Sequence, residues 1–178
     1  MTRRQFAALM ASLIVAIGLY GCIFGGYIDD PTWLTQINNR EGLAELPGPE
    51  NNPWIIEAFK LCGLPSELQD DNKTSWCSAG LNKIMDEVGL RGTGDARAES
   101  WCEWGGMLWI AKKGAICVFC DDAGNYHVTV LKDTATVKIR GEKYYSCIGC
   151  NQSDKIKVSL YKVRSLVCMR WATADFVL

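Results

Sequence analysis

The chain has 178 residues, of which 48% are hydrophobic. This is enough to bury one good core, so we expect a single folded domain with an N-terminal appendage. The formal net charge is −1, and without Arg3 and Arg4 the remainder is mildly acidic. Because nucleic-acid binding requires a basic face, this composition argues against a nucleic-acid partner.

Residues 1–28 differ in composition from the rest of the chain. Arg3 and Arg4 precede an uncharged run from Gln5 to Ile28, which is long enough for the roughly 20 apolar residues that a membrane span needs. Several glycines dilute its hydrophobicity, so it fits an export signal or a weak membrane anchor with a cytoplasmic N-terminus. We therefore predict export to the cell envelope, with membrane contact through residues 1–28 and the folded domain in residues 29–178.

The segment Leu19-Tyr-Gly-Cys22 is similar to a lipoprotein cleavage box, which makes Cys22 a candidate for lipidation. Tyr20 is bulkier than the small residue usual at its position. Three fates stay open for the segment: lipidation at Cys22, retention as a tethered helix, and release.

The body is predicted to begin with helices. Asn52-Pro53 is typical of a helix start, with proline at the first helical position, and Gly63 is typical of an end. Thr74 or Ser75 is expected to cap the next helix, whose apolar stripe ends before Gly89.

Cys77 is expected in the first turn of this second helix. Backbone N–H groups are unpaired there, so they favour a thiolate and can stabilise an oxyanion. The only histidine, His127, lies in an alternating stretch, Asn125 to Leu131, that predicts a strand. A thiol and an imidazole are the two parts of a cysteine hydrolase, although a buried cysteine and a structural histidine are the ordinary alternatives.

Beyond a loose stretch that carries Trp101 and Trp104, the pattern changes to period two. Strands are predicted at residues 115–120, 126–131, 144–150, 156–160 and 167–171. Helices followed by an antiparallel meander indicate an α+β domain.

Nine cysteines can form disulfides in an exported protein. Two CxxC pairs, Cys117/Cys120 and Cys147/Cys150, also suggest a four-cysteine zinc site. We discount zinc because residues i and i+3 of a strand point to opposite faces, whereas a zinc knuckle aims both sulfurs at one point. We therefore expect no metal and no cofactor.

The order of motifs resembles the papain-like cell-wall cysteine hydrolases, the CHAP and NlpC-type superfamily, and in particular a compact branch in phage and bacterial genomes. The resemblance covers most of residues 31–171 and is carried by Glu45–Pro53, Ser75–Ala79, Gly92–Gly94, Ser100-Trp101, Trp104-Gly105, Gly114–Phe119, Tyr126–Val128, Gly149–Ser153 and Tyr161. It implies a papain-like fold in which N-terminal helices pack on an antiparallel sheet.

The resemblance also implies roles for particular residues. Cys77 matches the nucleophile, His127 the general base and acid, and Asn151 the polar residue that orients the imidazole, with Gln152 as the alternative. Trp76, Trp101, Trp104 and Gln152 are candidates for substrate binding, although large aromatic residues beside a core are more often packing.

Two positions depart from the pattern of this branch. Ala115 stands where an aspartate is usual, and Cys150 stands where a glycine is usual, which puts an extra thiol beside Asn151. No acidic cluster precedes Cys77, so we expect no calcium site of the kind that some relatives carry.

The sequence therefore predicts a monomeric, exported peptidoglycan hydrolase, either a phage lysis enzyme or an envelope-remodelling enzyme. Its substrate would be an amide or peptide bond of the wall's stem peptide. The alternative is a non-catalytic envelope binding module of the same fold, stabilised by disulfides or zinc.

Overall fold

A computed structural model describes residues 30–176 of the chain. The helices are α1 (Thr32–Asn39), α2 (Pro53–Leu61) and α3 (Cys77–Glu87). The strands are β1 (Gly106–Met107), β2 (Ile116–Cys120), β3 (Tyr126–Ile139), β4 (Glu142–Gly149), β5 (Lys157–Lys162) and β6 (Leu166–Trp171).

The strands form one antiparallel sheet in the order β1-β6-β2-β3-β4-β5. Together with the helices that precede it, this sheet confirms the α+β class. None of the helices within residues 30–176 combines the length and the apolarity that a bilayer crossing requires. The proposed export segment, including Cys22, lies outside the described residues.

The start of α2 is as predicted, and the start of α3 is not. Asn52 caps α2 by accepting a hydrogen bond from the Trp54 backbone N–H at 3.0 Å. For α3 the capping residue is Trp76, which makes no side-chain capping bond. The predicted cap by Thr74 or Ser75 is therefore wrong, and Ser75 instead donates its hydroxyl to the sulfur of Cys77.

The strand pattern located the sheet but underestimated its longest hairpin. The predicted strand 126–131 continues to Ile139, where Arg140 and Gly141, both with positive φ, turn the chain into β4. Two such residues make the tight turn that matches the twist of paired strands. Most side chains between 132 and 139 are exposed, so burial does not impose the period that identifies a strand.

The two faces of the sheet carry separate cores. One face packs against all three helices, and its buried strand residues are Ile116, Val118, Val128, Val130 and Ile148. The opposite face carries a smaller buried cluster of Ala115, Cys117, Phe119, Leu131, Cys147 and Met169.

Glu87 fixes the C-terminal end of α3 to the other two helices. Its carboxylate accepts hydrogen bonds from Arg40 at 2.7 and 2.8 Å, from Gln36 at 2.7 Å and from the Trp54 indole at 2.8 Å. Partial burial alone would raise the pKa of Glu87, but these donors outweigh it and lower the pKa. The charged end of α3 is thus held in place while its first turn faces the sheet.

Candidate active site

The first turn of α3 meets the sheet where β3 and β4 separate. The two strands pair at Val130 with Ile148 and at Leu131 with Cys147. The residues of β3 before Val130 pair only with β2. The Val128 N–H, on the part of β3 that does not pair with β4, helps to lower the pKa of the Cys77 thiol. The separation of two strands therefore creates the position that the thiol occupies.

Cys77 is the first residue of α3 and is only 4% exposed. Burial of the thiol tends to raise its pKa, whereas contact with the His127 imidazole lowers it, with smaller contributions from Ser75 and the Val128 N–H. The net result is a pKa of Cys77 below its ordinary value. The two residues that the sequence singled out, 50 positions apart, are thus brought close enough for the imidazole to lower the pKa of the thiol.

A chain of polar groups covers the thiol on its solvent side. The exposed Ser75 hydroxyl donates to the Cys77 Sγ at 3.7 Å, and the Asn151 amide donates to the Ser75 Oγ at 3.4 Å. Asn151 has a φ of 55°, a left-handed conformation that asparagine tolerates better than most residues. The structure therefore brings Asn151 to the site, but its hydrogen bond goes to Ser75 and not to the imidazole.

His127 is held by an aromatic ring instead. Its imidazole lies parallel to the Tyr161 ring, with centroids 5.5 Å apart and an angle of 11° between planes. Tyr161 also stacks on Phe119 at 4.8 Å. The Nε2 atom of His127 is buried and has no hydrogen-bond partner among the described residues.

Gln152 is connected to this aromatic stack by a hydrogen bond with Tyr161. Its Oε1 accepts from the Tyr161 hydroxyl at 2.9 Å, and its amide donates to the Lys157 carbonyl. Burial raises the pKa of Tyr161, which keeps this hydroxyl protonated and able to donate. Sequence reasoning assigned no role to Tyr161; its position opposite Tyr145 in the β4–β5 register becomes visible only once the strands are paired.

The three tryptophans predicted as substrate contacts belong to the core. Trp76, Trp101 and Trp104 are 0%, 0% and 2% exposed. Their indole N–H groups donate to Glu45, to Ser78 and to the Arg91 carbonyl at 2.8, 2.8 and 2.9 Å. Burial and satisfied N–H groups support the packing interpretation of these residues.

The four cysteines of the two CxxC pairs do not meet at one point, although Cys147 lies close enough to Cys117 to raise the pKa of its thiol. Cys117 and Cys147 belong to the smaller core, whereas Cys150 lies in the larger one. Within residues 30–176 no group of three or more histidine, cysteine or acidic side chains is arranged to hold a metal ion. Cys150, where the resemblance expects glycine, is fully buried, and burial together with nearby Cys77 raises its pKa.

One disulfide joins two of the eight described cysteines. Cys102, in the short helical turn Ala98–Glu103, is bonded to Cys168 on β6. The other described cysteines, Cys62, Cys77, Cys117, Cys120, Cys147 and Cys150, are free. The bond joins the helical turn Ala98–Glu103 to the sheet.

A cleft of about 750 Å³ lies on another part of the surface. Neither Cys77 nor His127 borders it, and its lining consists of residues 91–95 with Arg97, Glu99, Ser100, Glu103, Trp104 and Phe176. Asn82 on α3 holds one wall by accepting from the Gly94 N–H at 2.8 Å. We place the candidate site at Cys77 and His127 because an imidazole there lowers the pKa of a thiol at a helix N-terminus.

No family model, curated protein or solved structure matches this chain. The resemblance drawn from the sequence therefore rests on the sequence motifs alone.

Proposed function

We propose that this chain is an exported, papain-like cysteine hydrolase that cleaves an amide or peptide bond in the stem peptide of peptidoglycan. One observation carries the proposal: a helix N-terminus presents Cys77 to the only histidine of the chain, and the contact lowers the pKa of the thiol. A helix-terminal thiolate beside an imidazole is the arrangement that thiol-dependent acyl transfer requires. The cell-wall substrate is supported by the resemblance of the motifs around these two residues.

The proposed reaction proceeds in two steps. The Cys77 thiolate attacks the amide carbonyl, and the imidazolium of His127 returns its proton to the leaving amine. A thioester remains, which water hydrolyses with His127 as the base, releasing a carboxylic acid and restoring the thiol. Backbone N–H groups in the first turn of α3 would stabilise the oxyanion in both steps.

Asn151 is our proposed third member of the site. An amide that accepts from the imidazole N–H would hold the ring in its working tautomer. The side chain lies beside Ser75 at the edge of the thiol, and the buried Nε2 of His127 has no other described partner. Gln152 is the alternative, and its contacts would act through Tyr161.

The cellular setting is part of the same proposal. Residues 1–28 would direct export, with Cys22 as a candidate for lipidation, and the domain would work as a monomer in the envelope. The Cys102–Cys168 disulfide supports an oxidising compartment.

Digestion of isolated peptidoglycan tests the proposal directly. We expect wall hydrolysis by the protein, with new termini in the mass spectrum that identify the bond. Cys77→Ser should abolish hydrolysis with the fold intact, because a hydroxyl is far harder to ionise than a thiol whose pKa is lowered. Cys120→Ser, at the end of β2 and outside the site, is the matched control and should remain active.

Retention of wild-type hydrolysis by Cys77→Ser or by His127→Ala would exclude the thiol mechanism. A folded protein that binds walls but leaves every bond intact would instead favour the non-catalytic binding module.

A further inference from the structure

Among residues 30–176, the most exposed large apolar side chains lie in the loop between β1 and β2. Trp109 is 86% exposed, Ile110 is 82% exposed and the neighbouring Met107 is 52% exposed. Scattered single apolar residues on a surface are ordinary, whereas a cluster that includes a fully presented indole marks an interaction surface. The other six tryptophans of the chain are buried or half-buried.

Basic residues follow directly at the base of this loop. Lys112 places its ammonium 3.5 Å from the centroid of the Trp171 ring, and Lys113 pairs with Asp30 at 2.6 Å. Tryptophan favours the boundary between lipid chains and headgroups, and lysine next to it favours anionic headgroups. The apolar tip followed by two lysines therefore matches the chemistry of an anionic membrane surface.

The segment with which the domain begins packs against the end of the same loop. A Cβ on Gly114 would lie 2.3 Å from Pro31, and the Trp33 indole donates to the Gly114 carbonyl at 2.7 Å. The apolar run that ends at Ile28 is two residues before Asp30, and two residues of chain span at most about 7 Å. A bilayer that receives this run therefore lies beside the loop.

We propose that the Met107–Lys113 loop docks the domain on an anionic lipid bilayer, with Trp109 and Ile110 inserted at the interface. This inference rests on the membrane attachment through residues 1–28 that belongs to the proposed function. Insertion gives the domain a second contact with the membrane besides its tether, and so fixes which side of the domain faces the lipid.

Quenching of tryptophan fluorescence by brominated acyl chains tests the docking with the full-length chain. The probe is a vesicle of phosphatidylglycerol and brominated phosphatidylcholine. We expect strong quenching for the wild type and loss of most of it in Trp109→Phe. Trp54→Phe, which removes a half-buried indole in α2, is the matched control and should keep the quenching.

Charge and partner identity are tested with further variants. Lys112→Gln with Lys113→Gln should lower the quenching in anionic vesicles towards the value in neutral ones. Trp109→Ser with Ile110→Ser should reduce quenching while leaving pelleting with isolated walls and the sedimentation coefficient unchanged. Loss of wall pelleting would show that the loop binds the wall, and a change from dimer to monomer would show that it binds a second copy of the chain. Either result would overturn the inference.

The quenching requires no hydrolysis, so the two proposals fail separately. Vesicle-bound, wall-hydrolysing protein with unquenched Trp109 overturns the docking alone. Quenched Trp109 in a protein that leaves walls intact overturns the proposed reaction alone.

Discussion

At the scale of single residues, the pKa of Cys77 is set by its burial and by groups from two segments, β3 and the residues before α3. Burial opposes ionisation, while His127, Ser75 and the Val128 N–H favour it, and the balance lowers the pKa of the thiol. Cys62 is the opposite case, because burial and the charge of Asp95 raise its pKa to about 11. The chain thus contains one thiol whose pKa is lowered and one whose pKa is raised, which serves as an internal reference.

We predict that alkylation separates these two thiols by pH. Below a thiol's pKa the thiolate fraction falls tenfold per pH unit, so iodoacetamide at pH 7 should modify Cys77 faster than Cys62. His127→Ala removes the largest of the groups that lower the pKa of Cys77 and should slow its alkylation at pH 7 by roughly tenfold per unit of pKa restored. Peptide mass spectrometry measures both sites in one sample. Equal Cys77 rates in the wild type and in His127→Ala would contradict the contact.

A second prediction concerns the group that orients the imidazole. If Asn151 accepts from His127 during turnover, Asn151→Ala should lower kcat by roughly 10- to 100-fold, the cost of one buried hydrogen bond, with little change in KM. Tyr161→Phe keeps the ring that stacks on His127 and should retain most activity. Unchanged turnover per folded molecule in Asn151→Ala, with reduced activity in Gln152→Ala, would move the role to Gln152 and Tyr161.

Residue identity singled out Cys77 and His127 as a candidate pair but did not predict their surroundings. Cys77 and His127 could be identified from the sequence because a unique histidine and a cysteine at a helix start are chemically distinctive. The Ser75–Cys77 bond and the Tyr161–His127 stack depend on side-chain geometry across separate elements. The tryptophans illustrate the same limit, because one residue type serves both a cleft and a core.

At the scale of elements, α3 approaches β4 so closely that only glycine fits at position 80. A Cβ on Gly80 would lie 2.6 Å from the Cys150 sulfur and 2.8 Å from its Cβ. This contact joins the first turn of α3 to the residue that follows β4. It also accounts for the departure at position 150, since the thiol fills the space that the glycine leaves.

We predict that Gly80→Ala destabilises the protein by about 1–3 kcal/mol through overpacking, although alanine is the better helix former by about 1 kcal/mol. Cys150→Gly should lower stability in the wild type, because it leaves a cavity, and raise it in Gly80→Ala, because it removes the clash. Urea denaturation of the four proteins measures this coupling. Additive effects would show that the two positions do not touch.

Most helices and strands could be predicted because the residues that mark their ends and buried faces lie close together in the sequence. Asn52-Pro53 and Gly63 mark both ends of α2, and period-two alternation marks the buried halves of β2 and β3. Helix α1 and the two-residue β1 were missed, since each is too short to establish a period. The separation of β3 from β4, which creates the thiol's position, depends on pairing between strands and leaves no local signal.

At the scale of the whole molecule, the segments outside the sheet are held to it by apolar packing and by one disulfide. Helices α1–α3 cover one face of the sheet, while the Cys102–Cys168 bond fixes the turn Ala98–Glu103 to β6. Sequence predicted that cysteines would pair in an exported protein, but nine cysteines allow many pairings. The joined pair is decided by the fold, which places positions 66 residues apart in contact.

We predict that breaking this bond lowers the free energy of unfolding without removing the site. Closing a loop of 66 residues stabilises a protein by about 4 kcal/mol in the chain-entropy description, and measured losses are about 2–5 kcal/mol. Cys102→Ala with Cys168→Ala should therefore lower Tm by on the order of 10 °C. Calorimetry measures the shift, and Cys62→Ala is the matched control because that thiol is free.

Below its lowered Tm, the double variant should still show rapid alkylation of Cys77, because neither bonded cysteine touches the thiol, His127 or Ser75. A reducing agent should reproduce the loss of stability in the wild type and have no further effect on the variant. If reduction instead leaves Tm unchanged, the bond does not form in solution, and the support it lends to an oxidising compartment is withdrawn.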